Sequence, residues 1–388
     1  MRNTEMGMIA RLGDELMKKV LFVATVVKTH IMTFHIPYLK MLKEMGYETA
    51  VAARNDYEDP NDCVIPYCDK YFDIPFERSP LKPQNVRAFV ALKKTIDDGE
   101  YDIIHCHTPV GAMLTRLAAL GARKRGTKVI YTAHGFHFFR GAPLINWLLY
   151  FPVEWALARF TDALITINRE DYTRAQKFLA KRVYYVPGVG IDITRFTSDD
   201  EGRTQLRDEL DILENEFVLL SVGEVNANKN HQVVIRALPK LKNCKYVICG
   251  VGPLTEGLKA LATELGVDNK LLMVGYRRDI SRFYQMADCF VFPSLREGLS
   301  VALMEAMGSE TPVACTAIRG NTDLIEDRTT GYIIKNDAAD VAQTIQHIVD
   351  HVEERRNCTV AAKEKLKQFE LGSVVGAVQD IYMATLNK

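Results

Sequence analysis

The strongest constraint on the fold of this chain is a change of hydrophobic period that repeats along its length. Short apolar runs alternate with stretches of helical spacing. Val20–Val27, Glu48–Ala53, Tyr101–His105, Val129–Thr132 and Ala163–Ile167 read as strands, whereas Phe34–Glu44, Arg87–Asp98 and Ala112–Lys124 carry helical spacing. Short apolar runs separated by helices are the pattern of βαβ units on a parallel sheet. The pattern pauses at Val183–Phe196, where Pro187, Gly188 and Gly190 interrupt it and a polar stretch, Ser198–Arg203, follows. It then restarts at Phe217–Val222 and runs through Tyr246–Cys249, Leu271–Val274, Cys289–Val291 and Pro312–Cys315. The expected fold class is α/β, with two doubly wound domains joined by a linker near Val183–Phe196. Ligands of such sheets sit at the carboxyl ends of the strands, where the strand order reverses. With two such domains, the cleft between them is the default site.

Length and composition agree. A chain of 388 residues suits two to three domains. The 47% hydrophobic and 25% charged residues exclude a disordered or collagen-like chain. The net charge is zero, so no basic excess points to nucleic acid. The balance is uneven along the chain: residues 18–182 carry a net +7 and residues 183–388 a net −6. A basic first half favours an anionic partner, a phosphate-bearing acceptor or a membrane surface; an offset of this size is also ordinary between two domains. The eight cysteines form no CxxC pair and several lie in apolar runs, which reads as buried reduced thiols. Residues Met1–Glu15 lack the apolar core of a signal peptide, and Met17-Lys18-Lys19 precedes the first strand, so 1–16 reads as an N-terminal extension. No apolar stretch is long enough to span a bilayer. Ala142–Phe160, with Trp147 and Trp155 but also Pro152, Glu154 and Arg159, reads either as a helix packed on the first domain or as a surface-lying membrane contact.

The most informative stretch is Phe292–Pro312, FPSLREGLSVALMEAMGSETP. A strand ends near Val291, a loop covers Pro293–Gly298, and a helix begins near Leu299. This places one carboxylate, Glu297, in the loop and another, Glu305, inside the helix. Gly298 allows close backbone approach, and the first N–H groups of a helix bind phosphate through hydrogen bonds and dipole. Taken alone, the same spacing also fits a dipole partner followed by a solvated helix residue.

These residues resemble the donor-binding signature of the retaining family-4 glycosyltransferases of GT-B fold. The resemblance covers about residues 17–385. Val222-Gly223 with Lys229, then Gly250-Val251-Gly252-Pro253, Gly275-Tyr276, Ala287-Asp288, Arg319-Gly320-Asn321 and Gly331-Tyr332 follow in the family's order. Val186-Pro187-Gly188-Val189 with Ile191-Asp192 and Phe196 resembles its interdomain linker. His105-Cys106-His107-Thr108-Pro109, Thr132-Ala133-His134-Gly135-Phe136-His137 and Ala142–Trp147 resemble the subgroup that builds bacterial exopolysaccharide and capsule repeat units.

The resemblance implies two Rossmann-like domains facing across a cleft: an acceptor-binding one over 17–188 and a nucleotide-sugar-binding one over 189–369. A helix at about 370–388 packs back on the first. It implies a retaining transfer of a hexose or N-acetylhexosamine from a nucleoside-diphosphate sugar, UDP favoured, to a hydroxyl of a polyprenyl-diphosphate-linked saccharide. The implied location is cytoplasmic and peripheral at the inner membrane face, with no cofactor or metal required and no nucleic-acid partner. By the same likeness, His134 and Glu297 are the catalytic residues. Gly223, Asn226, Lys229, Gly298, Leu299, Ser300, Glu305 and Arg319 bind donor, Glu305 holding the ribose and Lys229 the diphosphate. Acceptor-side candidates are Lys28, His30, His107 and His137. The sequence departs from the family in two places. Glu224 stands where an arginine often clamps the diphosphate, and Thr25–Phe34 lacks the usual glycine pair, offering Lys28, Thr29, His30, Thr33 and His35 instead.

Three other readings have less support in the residues. A UDP-sugar epimerase would share the architecture but not the E-x7-E signature. A non-catalytic nucleotide-sugar-binding protein would not need His134, Glu297, Glu305 and Lys229 together. Gly250-Val251-Gly252 is not a G-x-G-x-x-G dinucleotide fingerprint. The tripeptide His105-Cys106-His107 places two imidazoles on one side of a strand end, but the sequence shows no third metal ligand.

Overall fold

A computed structural model describes residues 17–196 and 200–387. The extension at 1–16 and the start of the polar stretch at 197–199 lie outside the described residues. The chain divides into two compact units. One comprises residues up to Thr166, Tyr172–Tyr185 and Val375–Lys388; the other comprises Ile167–Asp171 and Val186–Val374.

The first unit is built on seven parallel strands: β1 (Lys19–Val26), β2 (Glu48–Arg54), β3 (Lys70–Asp73), β4 (Ile103–His107), β5 (Lys128–Ala133), β6 (Ala163–Thr166) and β7 (Val183–Tyr185), in the order β3-β2-β1-β4-β5-β6-β7. The second has six: β8 (Phe217–Val222), β9 (Cys244–Cys249), β10 (Leu271–Gly275), β11 (Cys289–Phe292), β12 (Val313–Thr316) and β13 (Tyr332–Ile334), in the order β10-β9-β8-β11-β12-β13. In each sheet the order reverses at the first strand, so the loops after β1 and β4, and after β8 and β11, diverge to opposite faces. That is the doubly wound arrangement with its switch point. Central strands such as β1 and β4 are buried along nearly their whole length, as helices on both faces of a parallel sheet require.

One element differs from the sequence reading, and a second takes the packed-helix form that is one of its two alternatives. The segment after β1, expected as an open loop, winds into a wide π-helical turn, Val27–Ile31, followed by Met32–Phe34 and the helix Ile36–Glu44. Val27 and Ile31 are buried and pull the turn inward, while the Asp56 carboxylate accepts from the amide of Lys28 at 2.6 Å. The Trp147 segment is a helix over Leu144–Ala158 with Pro152 inside it. One face packs Trp147, Tyr150 and Phe151 against the first unit's core; the other leaves Leu144, Ile145, Leu148 and Leu149 exposed. Among the described residues, no helix is long and apolar enough to cross a membrane. All eight cysteines are free and six are buried.

The helix Leu371–Leu386 places its last part in the first unit. There Tyr382 is fully buried and its hydroxyl lies 2.7 Å from His105 Nδ1. The same core holds a buried charge. Arg116, 1% exposed, donates to Glu154 Oε2 at 2.8 Å and to the Ala112 carbonyl at 3.0 Å, and it lies over the Tyr131 ring. Removing one member of such a pair strands the other's charge. Arg116→Leu should therefore destabilise the first unit by about 3–5 kcal/mol, read as a lowered chemical-denaturation midpoint. Arg116→Leu/Glu154→Leu should recover part of that loss.

Candidate active site

In the second unit, the two loops at the switch point meet. β8 ends at Val222 and the chain turns through Gly223, whose φ of +141° is unfavourable for any residue with a side chain. The loop then delivers Asn226, whose Oδ1 accepts from the Lys229 amide at 3.0 Å. Lys229 Nζ lies 2.8 Å from Glu297 Oε1 and 4.6 Å from the centre of the Phe292 ring at the end of β11. The lysine and the carboxylate named from sequence thus form a half-buried ion pair across the point where the strand order reverses.

The loop carrying Glu297 is fixed from several sides. The Leu295 amide donates to the Asn228 carbonyl at 2.8 Å, and the Asn228 side-chain amide donates to the Arg296 carbonyl at 2.9 Å. Gly320 has φ +81°, and a Cβ there would stand 2.2 Å from the Gly298 carbonyl oxygen. The helix Val301–Gly308 begins after Ser300, a buried N-cap whose hydroxyl accepts from the Leu303 amide at 3.2 Å. The remaining first-turn N–H groups of a helix have no intrahelical acceptor, so Gly298, Leu299 and Ser300 lead into an anion-favouring end. One turn on, Glu305 is partly buried and accepts from the Tyr284 hydroxyl at 2.9 Å. Burial raises its pKa, against the lowering effects of Tyr284 and Arg195. It is not the freely solvated helix residue that spacing alone allowed.

Arg319, expected against the diphosphate, is buried and its guanidinium is engaged within the unit: Nη1 donates to the Asp171 carboxylate at 3.0 Å, and Nε donates to the Glu297 carbonyl at 3.1 Å. With its charge balanced by a buried aspartate, it braces the Glu297 loop. Glu224 is exposed, so its charge is hydrated.

In the first unit, the acceptor-side candidates separate. Lys28 is exposed, with its ammonium 5.3 Å from the centre of the Tyr57 ring. His30 and His137 line a cavity of about 290 Å³ together with Thr29, Arg78, Thr108 and Tyr150. The His137 ring stacks on Tyr150 with centroids 4.5 Å apart. His107, expected on the acceptor side, is 1% exposed and belongs to a histidine cluster beneath the turn after β1. Thr108, with φ +62°, turns the chain directly after it.

His134 follows β5, half-buried, with Nε2 3.3 Å from His107 Nδ1. Burial holds its pKa well below the usual histidine value, as it does for His35 and His107; His30 is lowered to about 4 and His105 to about 3 for the same reason. All five are therefore neutral imidazoles at neutral pH. Sequence reasoning missed Tyr284, Asp171, Arg78 and Asp56. None carries a local motif, and each reaches its place through the tertiary fold.

Comparison with known proteins agrees across both units. Residues 202–365 match the family described as "Glycosyl transferases group 1", and residues 19–168 match "Glycosyl transferase 4-like". The chain is 41% identical over 378 residues to the "Putative glycosyltransferase EpsD" of Bacillus subtilis, covering 95% of this chain and 97% of that one. It is 26% identical to the Escherichia coli "UDP-Gal:alpha-D-GlcNAc-diphosphoundecaprenol alpha-1,3-galactosyltransferase", covering 77% of this chain and 80% of that one. Among solved structures, Anabaena Alr3699/HepE in complex with UDP and glucose superposes with a TM-score of 0.79 at 17% identity, covering 95% of this chain and all of that one. WaaG, a glycosyltransferase involved in lipopolysaccharide biosynthesis, superposes with a TM-score of 0.71 at 17% identity, covering 93% of this chain and 99% of that one. With the sequence signature, the two doubly wound units and a full-length relative in accord, the chain belongs to the group 1/family-4 glycosyltransferases of GT-B fold.

Proposed function

We propose that this protein transfers a hexose or N-acetylhexosamine, with retention, from a UDP-sugar to a hydroxyl of a polyprenyl-diphosphate-linked saccharide during exopolysaccharide synthesis. The observation that carries the reading is the Lys229–Glu297 pair at the switch point, next to the amide end of the helix Val301–Gly308. The name of the B. subtilis relative and the lipid-linked acceptor in the name of the E. coli relative support it, as does the UDP in the HepE complex.

Charge develops on the diphosphate as the glycosidic bond to it breaks. Fixed cations and amide dipoles that are already in place stabilise that charge without reorganising. Lys229 supplies the cation, and the amides of Gly298, Leu299 and Ser300 supply the dipoles. Glu297 holds Lys229 in position before the donor arrives and then hydrogen-bonds the sugar hydroxyls. Gly223 and Asn226 shape the loop, Arg319 braces it, and Glu305 accepts from the ribose hydroxyls. On the acceptor side His134 adjoins the reacting sugar. The acceptor hydroxyl attacks from the face the leaving phosphate vacates, and a phosphate oxygen takes its proton.

Two adjoining cavities in the first unit support a lipid-linked acceptor. The one lined by Arg78, Thr29, His30 and His137 offers cationic and hydroxyl donors, with Lys28 nearby. The other, about 310 Å³, is apolar and lined by Leu81, Pro109, Val110, Met113, Leu149 and Val153. A polar pocket continuing into an apolar one suits a diphosphate attached to an isoprenoid. The exposed Leu144, Ile145, Leu148 and Leu149 beside it suit peripheral contact with a membrane.

The test is nucleotide release from a panel of UDP-sugars, with and without undecaprenyl-diphosphate-linked saccharide, and NMR of the product anomer. Acceptor-dependent release with a retained anomer is expected; release that ignores the acceptor, or an inverted product, would overturn the proposal. Glu305→Ala should weaken UDP-sugar binding by about 10- to 100-fold, the scale of lost hydrogen bonds to a charged group; unchanged affinity by calorimetry would remove its ribose role. Tyr284→Phe adds a pH test. Burial raises the Glu305 pKa and the Tyr284 hydroxyl lowers it, so the phenylalanine variant raises it further. Donor binding needs the ionised carboxylate as acceptor. It should therefore fall as pH drops, with the fall beginning at a higher pH in Tyr284→Phe than in the parent protein.

A further inference from the structure

We propose that His30, His35, His107 and His134 bind one divalent first-row transition-metal ion of the zinc class in the first unit. One ring nitrogen of each lies within 4.8 Å of one from every other. In a tetrahedral zinc site with bonds of about 2.0–2.1 Å, ligand nitrogens stand about 3.4 Å apart. His134 Nε2 and His107 Nδ1 are already 3.3 Å apart, so small ring rotations of the others would close the shell.

The hydrogen bonding singles out these rings. His35 is fully buried and neither of its ring nitrogens has a partner. His30 Nε2 and His107 Nε2 are likewise buried and unpartnered. A buried polar atom without a partner is costly, and native structures keep few of them. The neighbouring His105 shows the ordinary solution: Nδ1 meets Tyr382 and Nε2 meets Thr132, and it stands outside the cluster. Three of the four rings thus carry an unpartnered nitrogen, and among the described residues His134 hydrogen-bonds only with His107; the rings pack closely, with His35 and His107 centroids 3.8 Å apart and Phe22 stacked on His107. An all-imidazole donor set suits zinc, copper, nickel or cobalt rather than magnesium or calcium.

The site sits where it can matter. His30 and His35 come from the turn after β1, His107 from the end of β4 and His134 from the end of β5. An ion would pin the π-helical turn to the sheet's switch point. If His134 ligates through Nε2, its proton resides on Nδ1, which remains a donor. This departs from the sequence expectation of no metal, for which a third ligand was wanting; the turn after β1 supplies two.

Metal content tests it without any transferase assay, so its failure is separate from failure of the proposed activity. The full chain, purified without an immobilised-metal column and dialysed against chelator, is titrated with zinc and with cobalt(II). One equivalent bound, the visible spectrum of tetrahedral cobalt and a raised melting temperature are expected. His35→Gln and His30→Gln should each weaken binding by about tenfold or more, the scale seen even for partners outside the ligand shell. His347→Gln, in the other unit, should bind as the parent does. His30 is only half-buried, so its variant keeps the test open if His35→Gln misfolds. Substoichiometric metal in the parent protein, or equal binding by parent and His30→Gln, would overturn the proposal and assign the orphaned nitrogens to ordered water.

Discussion

The Lys229–Glu297 pair and the histidine cluster depend on one constraint: a parallel sheet sends all its strands' carboxyl ends to the same edge. Where the strand order reverses, the following loops part to opposite faces and leave a notch. In the second unit that notch holds Lys229 and Glu297, one from the loop after β8 and one from the loop after β11. In the first unit it holds the histidines that follow β1, β4 and β5. Neither set is close in sequence. Residues 229 and 297 are brought together because β8 and β11 are neighbours in the sheet, though two strands and their helices intervene along the chain.

The two notches treat polarity differently. The second unit matches opposite charges, with Lys229 on Glu297 and Arg319 on Asp171, and keeps the first pair half-buried. A pair at this depth retains part of its hydration, so an anionic ligand can take over the cation without leaving a bare buried carboxylate. The first unit gathers neutral imidazoles against Phe22, where desolvation strips their protons. One notch pairs opposite charges; the other gathers imidazoles.

Much of this was legible in the sequence. The alternation of strand and helix, the break near Val186 and the signature around Glu297–Glu305 are local patterns, and local patterns set by backbone sterics and helix ends read well. The roles of Arg319 and His107 were less visible. Arg319 is governed by Asp171, 148 residues away, and His107 by burial under a turn whose wide helical form no spacing rule announced. Partners far apart in sequence decide whether a charged or titratable group faces a ligand or a neighbour. Tyr284 illustrates the same limit: a core aromatic by pattern, it proves to be the donor that holds Glu305.

Tyr382 gives the architecture a temporal side. It belongs to the final helix yet completes the interior of the sheet that the earliest-made strands build, closing on His105. On the ribosome, the first-synthesised sheet must therefore wait with that interior position open until the helix Leu371–Leu386 has been made. The later-made unit, by contrast, has all but its short Ile167–Asp171 segment in one continuous stretch and can consolidate before the older one is sealed.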